Sequence, residues 1–263
     1  MSDGFVVFSP EFAFENSGFK ASYFENLSLI EERSFWFRSR NRLIIWALRN
    51  YFPQARSFFE IGCGTGYVMT GVHKAFPELQ VTGSEIHLTG LPYARQRLPS
   101  ASLHQMDARA IPFYEEFDVI GAFDVLEHIE EDSAVLKEMY AAVRPGGGIL
   151  LTVPQHAWLW SEVDDYSFHK RRYAKDDFLE KIVSAGFRIR RVTSFVSFLL
   201  PLMMLARLRY SLPFGKVDHN LEFKMGDGLN RFLESIMNLE MFMIFKNVNF
   251  GMGGSLFVVA TKE

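Results

Sequence analysis

Three glycines at alternate positions follow a short apolar segment in the sequence Glu60-Ile61-Gly62-Cys63-Gly64-Thr65-Gly66. Glycine has no Cβ, so the backbone N–H groups of such a turn can approach a ligand, as can the free N–H groups of a following helix. Glu85 lies 19 residues beyond Gly66, where a carboxylate at the end of the next strand can accept hydrogen bonds from both hydroxyls of a ribose. The pattern therefore predicts a site for a cofactor that contains a nucleoside.

Apolar segments of strand length alternate with segments of helical periodicity through most of the chain. We predict strands at 57–61, 79–85, 117–124, 148–153, 187–193 and 254–260, and helices at 35–51, 67–76, 91–98, 133–143, 176–185 and 229–245. This alternation is typical of a doubly wound α/β domain with a mostly parallel sheet. We expect a single domain over 1–263, with an N-terminal helical cover (1–52), a cofactor-binding core (53–194), a hydrophobic and helical insertion (195–248) and a last strand (249–263).

Six motifs follow one another in this core: Phe59-Glu60-Ile61-Gly62-Cys63-Gly64-Thr65-Gly66, Gly83-Ser84-Glu85, Met106-Asp107-Ala108, Phe117-Asp118-Val119-Ile120, Asp124-Val125-Leu126-Glu127-His128 and Arg144-Pro145-Gly146-Gly147-Gly148. In this combination the chain resembles class I S-adenosylmethionine-dependent methyltransferases over residues 57–190. The resemblance implies a Rossmann-like, seven-stranded, mostly parallel sheet with an antiparallel last strand. It also implies S-adenosylmethionine as cofactor and S-adenosylhomocysteine as product.

The resemblance assigns individual cofactor contacts. Glu60 helps to hold the turn and the methionine amino group, and Glu85 binds the ribose, with Ile86 beside it. Asp107 contacts the adenine amino group, and the backbone N–H of Ala108 meets a ring nitrogen. Such carboxylates are electrostatically favourable because this cofactor carries a sulfonium and an ammonium group but no pyrophosphate.

Two further groups are candidates for the methionine end of the cofactor. Asp124 follows a buried strand and is either a second acidic contact or the N-cap of the next turn. Arg40, with Arg38 as the alternative, lies in an aromatic and basic helix that resembles a cofactor-covering helix of related enzymes, as does Trp36. An arginine there could pair with the cofactor carboxylate, although a solvated basic helix face explains the same pattern.

The segment after the strand at 148–153 is the predicted acceptor site, because ligands of open α/β sheets bind outside the carboxyl ends of strands. Methyl transfer needs the acceptor held close to the sulfonium, and a base where the acceptor atom must lose a proton. His169 and His156 are the candidate bases. The candidate substrate contacts are Trp158, Asp165, Arg172 and Tyr173. Alternatively, Asp165 and Arg172 tie a long loop to the domain, and Tyr173 packs.

A divalent metal is an alternative that we do not favour from sequence. Asp124, Glu127 and His128, together with His169, resemble a cation-binding arrangement of ubiquinone-biosynthesis O-methyltransferases and small-RNA 2′-O-methyltransferases. Mixed carboxylate and imidazole ligands suit Mg, Mn or Zn. This chain departs from that arrangement by an Asp at the first position, and many methyltransferases carry a similar Leu-Glu-His without metal.

The apolar segment 195–210 bears on the acceptor class. Its apolar run is only about a dozen residues, whereas a membrane-spanning helix needs about 20. A buried helix or a homodimer contact is the favoured explanation, and peripheral membrane contact or a groove for an acyl or prenyl chain stays open, given the flanking Arg207 and Arg209. We expect a small-molecule or lipid-linked acceptor, with O-methylation ahead of N- or C-methylation.

Charge and cysteine content narrow the alternatives. The net charge of −3 argues against a nucleic-acid partner, although Lys170-Arg171-Arg172 keeps an RNA methyltransferase open. Cys63 is the only cysteine, so nothing points to an oxidising compartment, and we expect a cytoplasmic protein. An NAD-dependent oxidoreductase would also use the glycine turn, and a cofactor-binding module without catalysis is the third alternative.

Overall fold

An eight-stranded sheet runs through the computed structural model, which describes residues 4–13, 21–210 and 225–263. Its strands are β1 (Val6–Val7), β2 (Ser57–Ile61), β3 (Gln80–Glu85), β4 (Ser102–Gln105), β5 (Phe117–Phe123), β6 (Val143–Pro154), β7 (Arg188–Phe195) and β8 (Ser255–Thr261). They lie in the order β1-β4-β3-β2-β5-β6-β8-β7. The first six in this order are parallel, and β8 is antiparallel between β6 and β7. The predicted mostly parallel sheet with an antiparallel last strand is confirmed.

Helices cover both faces of the sheet. They are α1 (Ala21–Ile30), α2 (Phe35–Tyr51), α3 (Tyr67–Ala75), α4 (Leu91–Arg97), α5 (Asp132–Ala142), α6 (Glu162–Tyr166), α7 (Lys175–Ser184), α8 (Leu200–Tyr210) and α9 (Asp227–Phe245). Successive strand residues point to opposite faces. Phe58 of β2 therefore joins the core under α2, α3 and α9, whereas Phe59 joins the core under α5 and α7. The two apolar cores make the domain doubly wound.

The apolar patterns of the sequence did not predict two of the strands, β1 and β4. β4 contains one apolar residue, Leu103, and so carries no apolar run or alternation. β1 is two residues long and pairs with β4 through Val6 and His104. The segment expected to form only a helical cover therefore also contributes an edge strand, and the sheet has one strand more than the seven expected.

The boundary between α5 and β6 also differs from the prediction. α5 ends at Ala142 and β6 begins at once at Val143, ahead of the predicted start at Gly148. A Cβ on Gly147 would lie 2.4 Å from the Asp118 carbonyl oxygen, and one on Gly148 would lie 2.2 Å from that of Ala260. These glycines therefore admit neighbouring backbones inside the sheet rather than only ending a helix.

The insertion after β7 is fixed to α9 by a buried carboxylate. Glu240 Oε2 accepts hydrogen bonds from the backbone N–H groups of Ser197 and Phe198, each at 2.8 Å. α8 then leaves Leu202 and Leu205 largely exposed, so of the two favoured explanations, a buried helix and a homodimer contact, full burial within the chain is wrong. The polar loop expected after Tyr210 (211–224) and the side chain of Arg209 lie outside the described residues. No helix in the described ranges has the length and apolar character needed to cross a membrane.

The interior position of β8, between β6 and β7, generates a test of the fold. Phe257 is fully buried on β8, whereas Phe232 of α9 is 62% exposed. Phe257→Ala should lower the free energy of unfolding by about 3–5 kcal/mol because it leaves a cavity. Phe232→Ala should change the same quantity by less than about 0.5 kcal/mol. Urea unfolding followed by circular dichroism measures both, and equal effects would contradict this placement of β8.

Candidate active site

The glycine-rich turn joins β2 to α3, in the order of elements that the sequence predicts. Gly62, Gly64 and Gly66 have φ values of +65°, +52° and +78°, in the left-handed region that favours glycine. A Cβ on Gly62 would lie 2.5 Å from Val125 Cγ2, and one on Gly66 would lie 2.9 Å from Ala94 Cα. Conformation and close packing therefore both require glycine at these two positions.

Glu60 is buried near the end of β2, 3% exposed. Burial raises the pKa of its carboxyl group to about 8, although the charge of Arg40 and the backbone N–H of Met69 act in the opposite direction. Its Oε2 has no hydrogen-bond partner within the described part of the chain. Because an incompletely bonded buried carboxylate is costly, Glu60 is a strong candidate for contact with a cationic group.

Glu85 ends β3 and faces the glycine-rich turn. Its Oε2 accepts a hydrogen bond from Gly64 N–H at 3.1 Å, and Oε1 accepts one from His87 N–H at 3.2 Å. Burial raises the pKa of Glu85, and His87 is the largest influence in the other direction. Ile86 is half-buried, and its carbonyl accepts a hydrogen bond from Gln105 Nε2 at 2.8 Å. The Glu85 carboxylate is thus held against the turn where a ribose was expected.

Asp107 lies just beyond β4 and is buried. Its two carboxylate oxygens accept hydrogen bonds from Arg109 Nε and Nη2, the closest at 2.7 Å. Its backbone N–H donates to Ser9 Oγ at 3.1 Å, so the N-terminal segment supports this position. Ala108 is buried beside it. The predicted adenine contact is therefore a carboxylate that already has a cationic partner.

Arg40 pairs with Asp124. The Arg40 guanidinium donates through Nη1 to Asp124 Oδ2, which also accepts a hydrogen bond from Thr152 Oγ1 at 2.9 Å. Trp36 supports the guanidinium from one side, with the ring centroid 4.5 Å from Arg40 Cζ. The alternative candidate Arg38 pairs instead with Glu234 at 3.1 Å. Of the two arginines, only Arg40 therefore contacts an acidic side chain of this site.

Four acidic side chains thus share one edge of the sheet. Glu60, Glu85, Asp107 and Asp124 lie at or just beyond the carboxyl ends of β2, β3, β4 and β5, which are adjacent and parallel. We call these four residues the carboxylate row. Asp124 has a φ of +57°, a sparsely populated conformation of the kind often found at functional sites.

The segment after β6 presents aromatic side chains near His156. The indole of Trp158 stacks on the His156 ring with centroids 5.1 Å apart, and Trp158 remains 52% exposed. Trp160 Nε1 donates to Asp165 Oδ1 at 3.0 Å, so Asp165 helps to hold this loop. Burial lowers the pKa of His156, and the charge of Arg172 adds to the effect.

Asp164 organises the other candidate base. This carboxylate is fully buried, and its Oδ1 accepts hydrogen bonds from His169 Nδ1 at 2.9 Å and Arg172 Nε at 2.7 Å. Burial alone would raise its pKa, but His169 and Arg172 hold the pKa at about 2. Arg172 is therefore paired with Asp164. This pairing agrees with the alternative that Arg172 ties the long loop to the domain.

Tyr173 is enclosed in the core rather than placed at the acceptor opening. It is 3% exposed, and its hydroxyl donates to Asp132 Oδ2 at 2.8 Å. Burial raises the pKa of Tyr173, and the Asp132 carboxylate raises it further. The substrate role proposed for Tyr173 from sequence therefore has no support in its position, and packing accounts for it.

Glu127, His128 and His169 meet beside this segment. Their potential ligating atoms lie within 4.8 Å of one another, and His169 Nε2 is 3.9 Å from Glu127 Oε1. Burial raises the pKa of Glu127 well above its usual range, and the charge of Asp124 adds to this. Burial lowers the pKa of His128 to about 3, with His169 as the second cause. These three residues are the candidate metal ligands.

Sequence reasoning missed two buried acidic residues that support the site. Glu31 follows α1 and accepts hydrogen bonds from Thr65 Oγ1 at 2.5 Å and Arg97 Nη1 at 2.6 Å. It thereby fastens the glycine-rich turn to α1 and α4. Asp164 is the second, and neither had a detectable signal because its partners are set by the tertiary fold. Ser161, which lies three residues before Asp164, would have indicated only the capping box at the start of α6.

The pKa of Glu60 generates a test that needs no ligand. A folded-state pKa near 8, raised above the ordinary 4.5, gives stability that is present below pH 4.5 and is lost as pH rises through 8. The loss is about 1.4 kcal/mol for each unit of pKa difference. Glu60→Gln mimics the protonated form, so its melting temperature relative to wild type should increase from pH 5 to about pH 8 and then level off. The exposed Glu78→Gln is the control, and a difference for Glu60→Gln that stays constant with pH would contradict the raised pKa.

Comparisons with known proteins find similarity to methyltransferases. Residues 58–147 match the family described as "Methyltransferase domain". A "probable S-adenosylmethionine-dependent methyltransferase" of Mycolicibacterium smegmatis is 24% identical over 163 residues, which are 61% of this chain and 62% of that protein. A ubiquinone/menaquinone biosynthesis C-methyltransferase of Desulfotalea psychrophila is 29% identical over 98 residues, 36% of this chain and 40% of that protein. The chain thus covers less than two thirds of the length of each of these relatives.

A solved structure shares the fold. Phosphoethanolamine N-methyltransferase 2 of Haemonchus contortus, in complex with S-adenosyl-L-methionine, superposes with a TM-score of 0.62 at 20% identity. The superposition covers 94% of this chain and 58% of that one. At this identity the superposition shows a shared fold. Residues 58–147 thus match a methyltransferase domain within a mostly parallel α/β fold.

Proposed function

We propose that this chain transfers a methyl group from S-adenosylmethionine to a small-molecule or lipid-linked acceptor. The observation that carries the proposal is the carboxylate row at the carboxyl ends of four adjacent parallel strands. Three of its members, Glu60, Glu85 and Asp107, are buried. Carboxylates brought together in a low-dielectric setting favour a ligand with positive charge.

The carboxylate row favours S-adenosylmethionine over a nicotinamide dinucleotide. The sulfonium and ammonium groups of S-adenosylmethionine are cationic, whereas a dinucleotide brings the negative charges of a pyrophosphate to the glycine-rich turn. Glu60, next to this turn, has a carboxyl oxygen without a described partner, and its ionised form would repel a phosphate. An ammonium group would instead supply the missing hydrogen bonds.

Each member of the row has a role in this proposal. Glu85 exchanges its hydrogen bond from Gly64 for those of the ribose hydroxyls, and Asp107 accepts from the adenine amino group while Arg109 holds it in place. The cofactor carboxylate draws Arg40 away from Asp124, and the released Asp124 and Glu60 then face the ammonium group. In the absence of cofactor, Arg40 and Asp124 thus neutralise each other. When the cofactor binds, its carboxylate pairs with Arg40 and its ammonium group pairs with Asp124.

Methyl transfer is an in-line displacement at the methyl carbon. The acceptor atom bonds to this carbon as the carbon–sulfur bond breaks, and the sulfonium becomes the neutral thioether of S-adenosylhomocysteine. An acceptor hydroxyl must also lose its proton, which favours a positioned base. We assign this role to His169, which Asp164 orients through Nδ1, and place His156 as the second candidate.

The surroundings of the site support an amphipathic acceptor. Trp158 and Trp160 are partly exposed after β6, and Leu202 and Leu205 are exposed on α8. α8 reaches this segment through Arg207, whose Nη1 lies 3.4 Å from Asp164 Oδ2. Exposed apolar groups at a mostly polar edge suit a lipid-linked substrate. Among the possible reactions we favour O-methylation with a histidine as the base.

The basic run Lys170-Arg171-Arg172 gives an RNA acceptor little support. Arg171 pairs with Asp132 at 3.0 Å, and Arg172 pairs with Asp164 at 2.7 Å. Both guanidinium groups are thus committed to internal carboxylates rather than offered to phosphates. Phosphate contacts would require breaking these pairs.

Isothermal titration with S-adenosylhomocysteine tests the proposal. Wild type should bind, and Glu85→Gln should bind about 10–100-fold more weakly because hydrogen bonds to a charged acceptor contribute about 1.5–3 kcal/mol each. Glu78→Gln, an exposed substitution in the turn between α3 and β3, should bind like wild type. Binding of NADH in place of S-adenosylhomocysteine would overturn the proposal.

A further inference from the structure

We propose that α9 (Asp227–Phe245) pairs with α9 of a second copy of this chain, so that two chains associate as a two-fold symmetric dimer. The proposal rests on the exposed apolar side chains along α9 and on the charges of this helix. It goes beyond the proposed methyl transfer and does not depend on it. α9 also lies outside the segment 195–210, for which a homodimer contact was considered from sequence.

α9 has two apolar faces. The first packs in the core of its own domain through Leu233, Met237, Met241 and Ile244. The second face points away from that core and consists of Leu229, Phe232, Ile236, Leu239 and Met243, which we call the α9 seam. Leu229, Phe232 and Leu239 are each more than half exposed. A surface helix needs only one apolar face to pack on its own domain, so the seam calls for a separate explanation.

The spacing of the α9 seam is that of a helix-pairing surface. Its five residues follow one another at alternating intervals of three and four positions. This is the heptad repeat, in which the two apolar positions of each repeat form a narrow stripe that faces a partner helix. Leu229, Ile236 and Met243 occupy the first of these positions, and Phe232 and Leu239 occupy the second. The pattern therefore indicates a helix as the partner.

The charge of α9 argues against a lipid surface as the partner. Helices that lie in a membrane interface are rich in Lys and Arg on their polar face. α9 instead contains one basic residue, Arg231, and three acidic ones, Asp227, Glu234 and Glu240. The exposed Asn238 adds no charge. A helix with an excess of acidic residues is poorly suited to anionic headgroups, whereas a second α9 matches the heptad spacing.

The residue after the helix sets the direction of pairing. Lys246 is exposed and occupies the next position of the heptad repeat. In a parallel pair, two Lys246 side chains would face each other across the two-fold axis, which is unfavourable. In an antiparallel pair, each Lys246 lies at the start of the other helix, where Asp227 is the acidic residue of the first turn. The charges therefore favour antiparallel pairing.

Antiparallel pairing also gives an interface of sufficient size. It sets Ile236 against the partner's Leu239 at the centre and Phe232 against the partner's Met243 on either side. Phe242, at a flanking position, is also more than half exposed. Because a buried aromatic side chain covers roughly 150–250 Å², the more than half-exposed side chains of both helices together would remove on the order of 800 Å² from water. Specific interfaces begin at about 1,200 Å², and the half-buried seam residues and polar flanks extend the contact toward that size.

Sedimentation equilibrium of the full-length chain over a concentration series tests the proposal. Wild type should dimerise reversibly, and Leu239→Lys should raise the dimer dissociation constant at least about 30-fold because it places a charge at the centre of the interface. Leu29→Lys, at an exposed leucine of α1, is the matched control and should associate like wild type. Phe232→Ala should weaken association while leaving the unfolding of the single chain nearly unchanged, which separates an interface effect from a folding effect.

Cysteine crosslinking tests the direction of pairing. In the antiparallel pair, two Leu239 positions lie only about 5 Å apart along the helix axis, whereas two Leu229 positions lie about 25 Å apart. A short bismaleimide should therefore link Leu239→Cys into covalent dimers but leave Leu229→Cys monomeric. Wild type, whose Cys63 is buried, gives the background. Efficient crosslinking of Leu229→Cys would contradict antiparallel pairing.

The outcomes are distinct. A wild type that stays monomeric up to about 100 µM would correspond to an affinity too weak for a specific dimer and would overturn the proposal. Binding of this monomer to phosphatidylcholine vesicles, lost in Leu239→Lys, would assign the seam to a bilayer instead. A wild-type dimer that Leu239→Lys leaves intact would also overturn the proposal. Binding of S-adenosylhomocysteine by each variant shows that the domain is folded, and it tests the proposed function separately.

Discussion

The concentration of carboxylates at one edge of the sheet requires compensating positive charge. Glu60, Glu85, Asp107 and Asp124 lie at adjacent strand ends, and burying like charges together is unfavourable unless they are paired, protonated or bound to a cation. The first two of these routes are present. Arg40 and Arg109 pair with two of the row, and burial raises the pKa of the other two. A cationic cofactor would complete the compensation, which is why the row determines what this domain can bind.

The surrounding structure serves to hold these charges in place. Trp36 of α2 supports the guanidinium of Arg40, and α2 packs against α9, which in turn anchors the segment after β7 through Glu240. Glu31 fastens the glycine-rich turn to α1 and α4. Removal of one partner from a buried pair leaves an uncompensated charge, which is strongly destabilising. The helices α1, α2, α4 and α9 therefore help to keep the charged groups of the site in place.

Strand and helix positions in the core followed from apolar periodicity, because strands buried on both faces are continuous apolar runs. β4 did not, since Leu103 is its one apolar residue. Candidate members of the carboxylate row came from spacing after strands and from family resemblance. The partner of Asp124 could not be derived this way, because Arg40 lies 84 residues away and only the fold joins them. Tyr173 shows a different limit. An aromatic hydroxyl in a polar loop is compatible with a substrate contact and with a buried hydrogen bond to Asp132, so the sequence could not distinguish between the two.

A crystal structure with S-adenosylhomocysteine would test the central claim most directly. The account predicts ribose hydroxyls on the Glu85 carboxylate in place of Gly64 N–H, the ligand's amino group beside Glu60, and its carboxylate on Arg40 with the Arg40–Asp124 pair opened. A nucleoside bound away from the glycine-rich turn, with the Glu85–Gly64 and Arg40–Asp124 contacts unchanged, would contradict it.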